Sequence, residues 1–327
     1  MDRRAFIAGM TGGLLAAPLA AEGQQSAMPV IAFLALPSRA TFGFLVDAFR
    51  LGLGDAGYVE GKSVTIEYRW ADNQSDRLPA LAADLVRGRV AVIVAVGSLA
   101  VARAAKAATA TIPIVFGVAG DPVKSGLVAS LNRPGGNATG VTLFSGELLT
   151  KRLEVARELI PRNSLVAVLM NPTSPDYGPD LSELQDAARA IGQRILVLNV
   201  STASELTAIF DTLVQRHARA VIVMTDVLFN SRRHDLVALT ARHAVPMVHF
   251  LPEAVAEGGL MSYGANIPEL YRHIGAYTGR ILKGEHPGDL PVLQPTKFEL
   301  VINLKTAKAL GLTIPPSLLQ RADQVIE

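Results

Sequence analysis

Short β-branched runs alternate with segments of helical period along most of this chain. The first runs lie at residues 30–36, 64–70, 91–96 and 112–117. Between them, as at residues 76–87, apolar residues recur at intervals of three and four, which is typical of one face of a helix. The alternation predicts βαβ units, in which helices cover a parallel sheet.

The pattern starts again after a turn-rich connector, Asn-Arg-Pro-Gly-Gly-Asn, at residues 132–137. A second set of strands is predicted at residues 165–170, 195–199, 221–225 and 247–250. Its helices include residues 181–191, closed by Gly192 in the position of a C-cap. The fold class is therefore α/β, with two Rossmann-like lobes in series.

The last seventy residues or so are less regular, and they indicate how the lobes are connected. A strand at residues 260–261 precedes a long helix at 268–283, and another strand follows at 298–302. This order predicts that the chain crosses back to the first lobe before it ends, which makes a hinge of several strands. We expect lobe 1 to hold residues 28–141 plus about 262–285, and lobe 2 residues 142–261 plus about 290–327.

Composition excludes several classes of protein. Of 327 residues, half are apolar, which suffices for two hydrophobic cores. The 31 basic and 29 acidic residues nearly balance, so the net charge does not indicate a polyanion such as a nucleic acid as the partner. The chain has no cysteine, which removes disulfides, thiolate metal sites and a thiol nucleophile. Its six histidines show no metal-type spacing, and no GxSxG motif occurs. Gly52, Gly54 and Gly57 spell GxGxxG at the end of a predicted helix, so we expect no dinucleotide and no other cofactor.

The first 27 residues have the features of an export signal. Arg3 and Arg4 precede an apolar stretch at residues 6–19, and Ala20 and Ala21 offer a small-residue cleavage site. The paired arginines resemble a twin-arginine signal, and both bacterial export routes stay open. We expect a periplasmic protein.

Ligands of open parallel sheets bind beyond the carboxyl ends of the strands, and this rule selects the candidate site. The polar residues that follow strands include Thr173, Asp176 and His249, and from the whole set we predict six ligand-binding residues: Thr41, Ser98, Asp121, Asn171, Tyr177 and Asp226.

Ser98, Asp226 and Tyr177 each have a chemical reason to contact a ligand. Ser98 opens a predicted helix at 99–108, whose free backbone amides could hold a carboxylate, and Asp226 could pair with an amine. Phe144, Tyr177 or Phe250 would cover the apolar part of the ligand. As alternatives, Ser98 and Asp226 are helix caps, Asp121 forms a turn, and Tyr177 packs on the surface.

Several motifs are similar to those of one known family. They are Gly-Asp-Pro-Val at 120–123, Gly-Leu-Val at 126–128, Pro-Gly-Gly-Asn-Ala-Thr-Gly-Val at 134–141, Leu-Met-Asn-Pro at 169–172, Ser-Tyr-Gly at 262–264, Gly-Arg-Ile-Leu-Lys-Gly at 279–284 and Phe-Glu-Leu-Val-Ile-Asn-Leu-Lys-Thr-Ala at 298–307. Together they resemble the ABC-transporter substrate-binding proteins, which include bacterial tryptophan and tyrosine uptake receptors.

The resemblance implies a type I periplasmic-binding-protein fold, a venus-flytrap receptor that holds a small solute between its lobes. The solute, such as an amino acid or an aromatic compound, would pass to a membrane permease driven by an ATPase. We expect a monomer with no catalytic residues. Two alternatives stay open: a periplasmic sensor that feeds a membrane signalling partner, and an exported enzyme that uses the same cleft.

Overall fold

The computed structural model describes residues 28–143, 148–174 and 176–327, so the predicted export signal at residues 1–27 lies outside the described residues. The strands in these ranges are β1 (Val30–Ala35), β2 (Thr65–Trp70), β3 (Val92–Val96), β4 (Ile114–Val118), β5 (Ala138–Thr142), β6 (Leu165–Met170), β7 (Ile195–Asn199), β8 (Ala218–Val223), β9 (Met247–His249), β10 (Met261–Ala265), β11 (Phe298–Asn303) and β12 (Gln324–Ile326).

The helices connect these strands in the expected alternation. They are α1 (Arg39–Asp55), α2 (Leu78–Arg87), α3 (Leu99–Ala108), α4 (Leu148–Leu159), α5 (Tyr177–Ile191), α6 (Leu206–Gln215), α7 (Val227–Ser231), α8 (Arg233–Arg242), α9 (Pro252–Ala256), α10 (Ile267–Leu282), α11 (Leu304–Ala309) and α12 (Pro316–Arg321).

The first sheet has the strand order β2-β1-β3-β4-β5, and every pair in it is parallel. Helices cover both faces, α1 and α10 on one and α2 and α3 on the other. Along β1, Phe33 packs into the first of these layers and Leu34 into the second, and both are fully buried. Burial on both faces explains why the strand is a continuous apolar run. We call this unit the first lobe.

Two glycines allow α1 and α10 to approach each other closely. A Cβ added at Gly52 would overlap the carbonyl of Arg272, and one added at Gly275 would lie 2.6 Å from the backbone nitrogen of Leu53. Gly52 also belongs to the GxGxxG sequence at the end of α1. Its small size serves this helix contact, through which residues 267–282 complete the core of the first lobe.

The second sheet has seven strands in the order β12-β11-β10-β9-β8-β6-β7. Its pairs are parallel except β10 with β11. Helices α4, α5, α11 and α12 cover one face, and α6 to α9 cover the other. Two mostly parallel α/β sheets confirm the predicted fold class. We call this unit the second lobe.

Within the described ranges, consecutive elements belong to different lobes at three points. The passages lie between β5 and α4, between β10 and α10, and between Leu293, which bridges to Val141 of the first sheet, and β11. The limits predicted for the lobes stay a prediction, but one element within them lies elsewhere. Residues 262–265 belong to β10 and pair with β9 and β11, so the return to the first lobe begins with α10.

Two short strands, β5 and β12, were not predicted from the sequence. The segment after the turn-rich connector forms β5, which pairs with β4, so the connector lies within the first lobe. The tail includes β12, which pairs with β11. No helix of the described part of the chain is long and apolar enough to cross a membrane.

Candidate functional site

A cavity of about 250 Å³ lies between the two lobes. Its walls include Ser98 and Val118 at the ends of β3 and β4, and Asn171 and Asp226 beyond β6 and β8. Parallel strands direct their carboxyl ends to one edge of a sheet, so this is the edge where the rule for open α/β sheets places a ligand. The cavity is therefore the candidate site.

Aromatic and aliphatic side chains make most of the cavity wall. Phe42 and Phe44 come from α1, Tyr271 from α10, and Phe250 from the end of β9. The rings of Phe42 and Tyr271 are 6.3 Å apart at 69°, an edge-to-face contact. These walls fit an apolar group, and an aromatic ring in particular.

Ser98 occupies the N-cap position of α3, but its side chain makes no capping hydrogen bond. Its Oγ is buried and has no hydrogen-bond partner in the described part of the chain. The preceding Gly97 has φ +99°, and a Cβ there would lie 2.6 Å from Cδ of Pro37. Glycine is required at this turn, which places Ser98 and the N-terminus of α3 in the cavity wall.

Asp226 serves as a cap and lines the cavity at the same time. Its Oδ1 accepts from the Leu228 backbone N–H at 2.7 Å, and Nδ2 of Asn171 donates to both carboxylate oxygens at 3.2 and 3.3 Å. Oδ1 of Asn171 accepts in turn from the backbone N–H of Thr173 at 3.0 Å. Burial raises the pKa of Asp226, and these hydrogen bonds oppose the rise. The carboxylate is thus fixed in position before any solute binds.

A second carboxylate, Asp176, reaches the same cavity from the start of α5. Burial raises its pKa to about 6, with a contribution from Asp226, while Arg103 acts in the opposite direction. Among the described residues that line the cavity, these two acids are the charged ones, and no basic side chain is present. The cavity therefore favours a solute that carries a positive charge.

Three of the six predicted residues line this cavity: Ser98, Asn171 and Asp226. The other three do not. Thr41 lies in the first turn of α1, where its hydroxyl is 3.1 Å from that of Ser38. Asp121 forms a turn, since its Oδ1 accepts from the amides of Val123 and Lys124.

Tyr177 packs against the core of the second lobe and donates its hydroxyl to Oδ1 of Asn199 at 3.0 Å. Tyr177 is not among the described residues that line this cavity, and its role as cover for a ligand stays a prediction. Phe250, proposed for the same role, lies in the wall, whereas Phe144 lies outside the described residues.

Several wall residues were not among the six. Asn73 and Ser75 follow β2, and the strand-end rule applied to that strand finds them. Phe42 and Tyr271 lie within helices, so no strand-end signal marks them. Tyr271 reaches the cavity because α10 returns to the first lobe, a tertiary event with no local signal.

A buried arginine supports the wall from behind. Nε of Arg152 donates to the Tyr263 carbonyl at 2.8 Å, and Nη1 donates to Oγ1 of Thr225 at 3.2 Å. The guanidinium lies 5.9 Å from the ring centroid of Phe250. Burial lowers the pKa of Arg152 to about 10, so it stays charged at neutral pH. Arg152 thereby connects α4, β10 and two wall residues.

The histidine beside Phe250 is a core residue. His249 is fully buried, and its Nδ1 accepts from the backbone N–H of Leu251 at 3.0 Å. Burial, with the nearby charge of Arg152, lowers its pKa to about 3. His249 is thus neutral at physiological pH. In the described part of the chain, no group of three or more acidic or histidine side chains is arranged to hold a metal ion.

Two α/β lobes with a largely apolar cavity between the ends of their strands define a solute-binding protein of the two-lobed class. Residues 28–326 match the family of the ABC transporter substrate binding protein, and the chain belongs to this family. Solute binding is its function, and the family resemblance carried by the sequence motifs is confirmed. The family works with the membrane components of ABC transporters, outside the cytoplasm.

Similar proteins share most of the chain. A "Tyrosine-binding protein" of Clostridioides difficile (strain R20291) is 29% identical over 264 residues, which cover 81% of this chain and 75% of that protein. The structure of the ABC domain in complex with L-Trp from Streptococcus pneumonia is 25% identical, with a TM-score of 0.82. The match covers 91% of this chain and 99% of the chain in that structure.

A third similar structure is the ligand-free, open form of a substrate binding protein with adhesive properties from Clostridium difficile. Its identity is also 25%, with the same coverage of 91% and 99%, but its TM-score is 0.68. The arrangement of the present chain is therefore more similar to the tryptophan complex than to the open structure. The type I fold is confirmed by further neighbours, including a leucine binding protein from Thermotoga maritima.

Proposed function

We propose that this protein is the exported solute-binding component of an ABC importer and that its solute is an α-amino acid with an aromatic or large apolar side chain. The observation that carries the proposal is the division of the cavity wall. Carboxylates of Asp176 and Asp226 supply negative charge, Ser98 and the start of α3 supply donors, and aromatic side chains supply the rest.

This division matches the three parts of an amino acid. The ammonium group would pair with Asp226, which Asn171 holds in place. The carboxylate would accept from the Ser98 hydroxyl and the first amides of α3, where the helix dipole favours negative charge. The side chain would contact Phe42, Phe250 and Tyr271. Names of the similar proteins, a tyrosine-binding protein and a tryptophan complex, support the same class.

The protein would act without catalysis and as a monomer. Its partners would be a membrane permease and ATPase, and export would depend on the signal at residues 1–27. N-terminal sequencing of the periplasmic fraction tests the export step. Recovery of the solute unchanged after prolonged incubation with the protein would support binding without turnover, and a new product would support the enzyme alternative.

Isothermal titration of the mature protein with L-tyrosine, L-tryptophan and L-phenylalanine tests the ligand class. We expect these amino acids to bind. We expect no binding of tryptamine, which lacks the carboxylate, or of indole-3-propionate, which lacks the amine. Ser98→Ala and Asp226→Asn should each weaken binding of the amino acids about tenfold to a hundredfold.

Two substitutions outside the cavity are matched controls, Asp121→Asn for the charge change and Tyr177→Phe for loss of a hydroxyl. Both should bind as the unmodified protein does. Absence of binding to every amino acid, in a protein that is folded by circular dichroism, would reject this ligand class.

A further inference from the structure

Asp176 lies on the second lobe and borders two cavities. It lines the main cavity, and it also lines a cavity of about 570 Å³ between α5 and the first lobe. Although it precedes α5, its side chain makes no capping bond. No hydrogen-bond donor in the described part of the chain reaches its carboxylate. The local structure of the second lobe thus gives this carboxylate no partner.

The carboxylate contacts the first lobe at Gly120. A Cβ added at Gly120 would overlap Oδ1 of Asp176 and would lie 2.8 Å from its Cγ. Gly120 itself is held in the first lobe, because its carbonyl accepts from Oγ1 of Thr142 at 2.9 Å. The contact between Asp176 and Gly120 therefore joins the lobes and depends on their being close together.

The two acids of the cavity differ in this respect. Asp226 has its hydrogen bonds with Leu228 and Asn171, both of the second lobe, and keeps them whatever the position of the first lobe. Asp176 is covered by the first lobe only when the lobes meet. Covering an ionised carboxylate costs free energy unless a positive charge compensates it. Arg103 of α3 faces Asp176 from the second cavity, not from the main one.

We propose that Asp176 determines which solutes close the lobes: a solute's ammonium group placed between Asp226 and Asp176 stabilises the closed form more than the open one. Asp226 then contributes to affinity in both forms, and Asp176 contributes in the closed form. A solute shifts the equilibrium between the open and closed forms only by the difference between its affinities for them. Asp176 supplies this difference in affinity. This proposal rests on the proposed function, because it assigns a second contact to the same cationic group.

Asp176→Asn tests the charge without changing the shape of the side chain. The probes are L-tryptophan, tryptamine and indole-3-propionate, and the measurements are the dissociation constant by titration and the radius of gyration by small-angle X-ray scattering. We expect L-tryptophan to bind the variant about tenfold to a hundredfold more weakly. We also expect a smaller change in radius of gyration at saturation, because the uncharged side chain no longer opposes closure of the solute-free form. Indole-3-propionate, which lacks the ammonium group, should bind the variant no more weakly than it binds the unmodified protein.

Gly120→Ala is the second variant, because its methyl group would prevent the same contact from the other lobe. It should reduce the change in radius of gyration at saturating L-tryptophan, because the added methyl group keeps the lobes apart. Asp121→Asn, which removes a carboxylate next to Gly120 and outside the main cavity, is the control. Circular dichroism of each variant checks that it is folded.

The outcomes separate the two proposals. Equal affinity and equal compaction in Asp176→Asn and the unmodified protein would overturn the role of Asp176 and leave the amino acid proposal intact. If the unmodified protein binds tryptamine but no amino acid, the ligand class of the proposed function is wrong, and tryptamine then tests Asp176 in the same variants. If no cationic probe binds or compacts the unmodified protein, both proposals fail.

Discussion

Nδ2 of Asn171 donates to both carboxylate oxygens of Asp226, and the two residues follow neighbouring strands of the second sheet. The strand order makes this possible, because β6 and β8 are adjacent in the sheet although β7 lies between them in sequence. The pair gives a carboxylate a fixed direction toward the cavity.

Asn171→Ala removes the donor from this pair. We expect the dissociation constant of a cationic solute to rise about tenfold, because Asp226 loses the bond that orients it and favours its ionised form. Titration calorimetry measures the change. Asn199→Ala, which removes an exposed acceptor of Tyr177 outside the cavity, should leave affinity unaltered. Equal affinities in both variants would mean that Asn171 does not support the site.

Arg152→Met removes the guanidinium behind the cavity wall. The Tyr263 carbonyl and Thr225 hydroxyl lose their donor, and we expect the free energy of unfolding to fall by about 1–3 kcal/mol. Removal of a buried charge acts in the opposite direction, so a rise in stability would show that desolvation of Arg152 outweighs its bonds. Urea unfolding measures the difference. Arg162→Met, at an exposed position just after α4, should change stability by less than about 0.5 kcal/mol.

Gly97→Ala combines two costs at the turn before α3. The residue has φ +99°, and its Cβ would lie 2.6 Å from Cδ of Pro37. We expect a loss of about 2–4 kcal/mol in the free energy of unfolding. Gly126→Ala separates the terms, because φ is +73° there but no atom lies within 4 Å of the added Cβ. It should cost about 1–2 kcal/mol. If Gly97→Ala lowers the free energy of unfolding no more than Gly126→Ala does, the contact with Pro37 contributes nothing to the loss.

The lobe interface should respond to pH in the absence of solute. Burial raises the pKa of Asp176 to about 6 and of Asp180 to about 7, and neighbouring carboxylates add to both shifts. Acids whose pKa is raised bind protons more tightly in the closed form, so protonation favours closure. The closed fraction should therefore fall as pH rises from about 5 to about 7.5.

Scattering measures this change, and a variant with Asp176→Asn and Asp180→Asn should lose most of it. The other charged groups near the two acids, on both sides of the second cavity and beyond it, are Arg103, Asp121, Lys124, Arg152, Glu183, Asp186 and Asp226. A radius of gyration that is constant over this range would show that the two acids do not control closure.

Local patterns predicted most of the strands, because many of them, such as β1, β3 and β6, are dense apolar runs buried on both faces. β6 and β7 have the predicted limits. β5 was missed because Ala138–Thr142 is a short segment, interrupted by Gly140, that directly follows a turn-rich connector. It is a strand because β4 pairs with it, and Gly140 lies so close to Phe116 that a Cβ there would overlap its carbonyl. Such packing leaves no periodic signal.

The same distinction applies to the site. The strand-end rule found Ser98, Asn171 and Asp226, whose place in the cavity follows from the sheet alone. Thr41, Asp121 and Tyr177, which the same rule selected, lie outside the cavity, because their side chains bond to neighbours along the chain or across their own lobe. The contact between Asp176 and Gly120 depends on the distance between two lobes, which no local sequence pattern encodes.

The return of α10 to the first lobe also affects how the chain can fold. Ile274 is fully buried against residues that precede it by more than two hundred positions, so the first lobe cannot complete its core until the ribosome has passed most of the second. Neither lobe can then be a finished folding unit on a growing chain, and the two should unfold in one cooperative step. A chain that leaves the cytoplasm during synthesis would cross the membrane before its first lobe is able to fold.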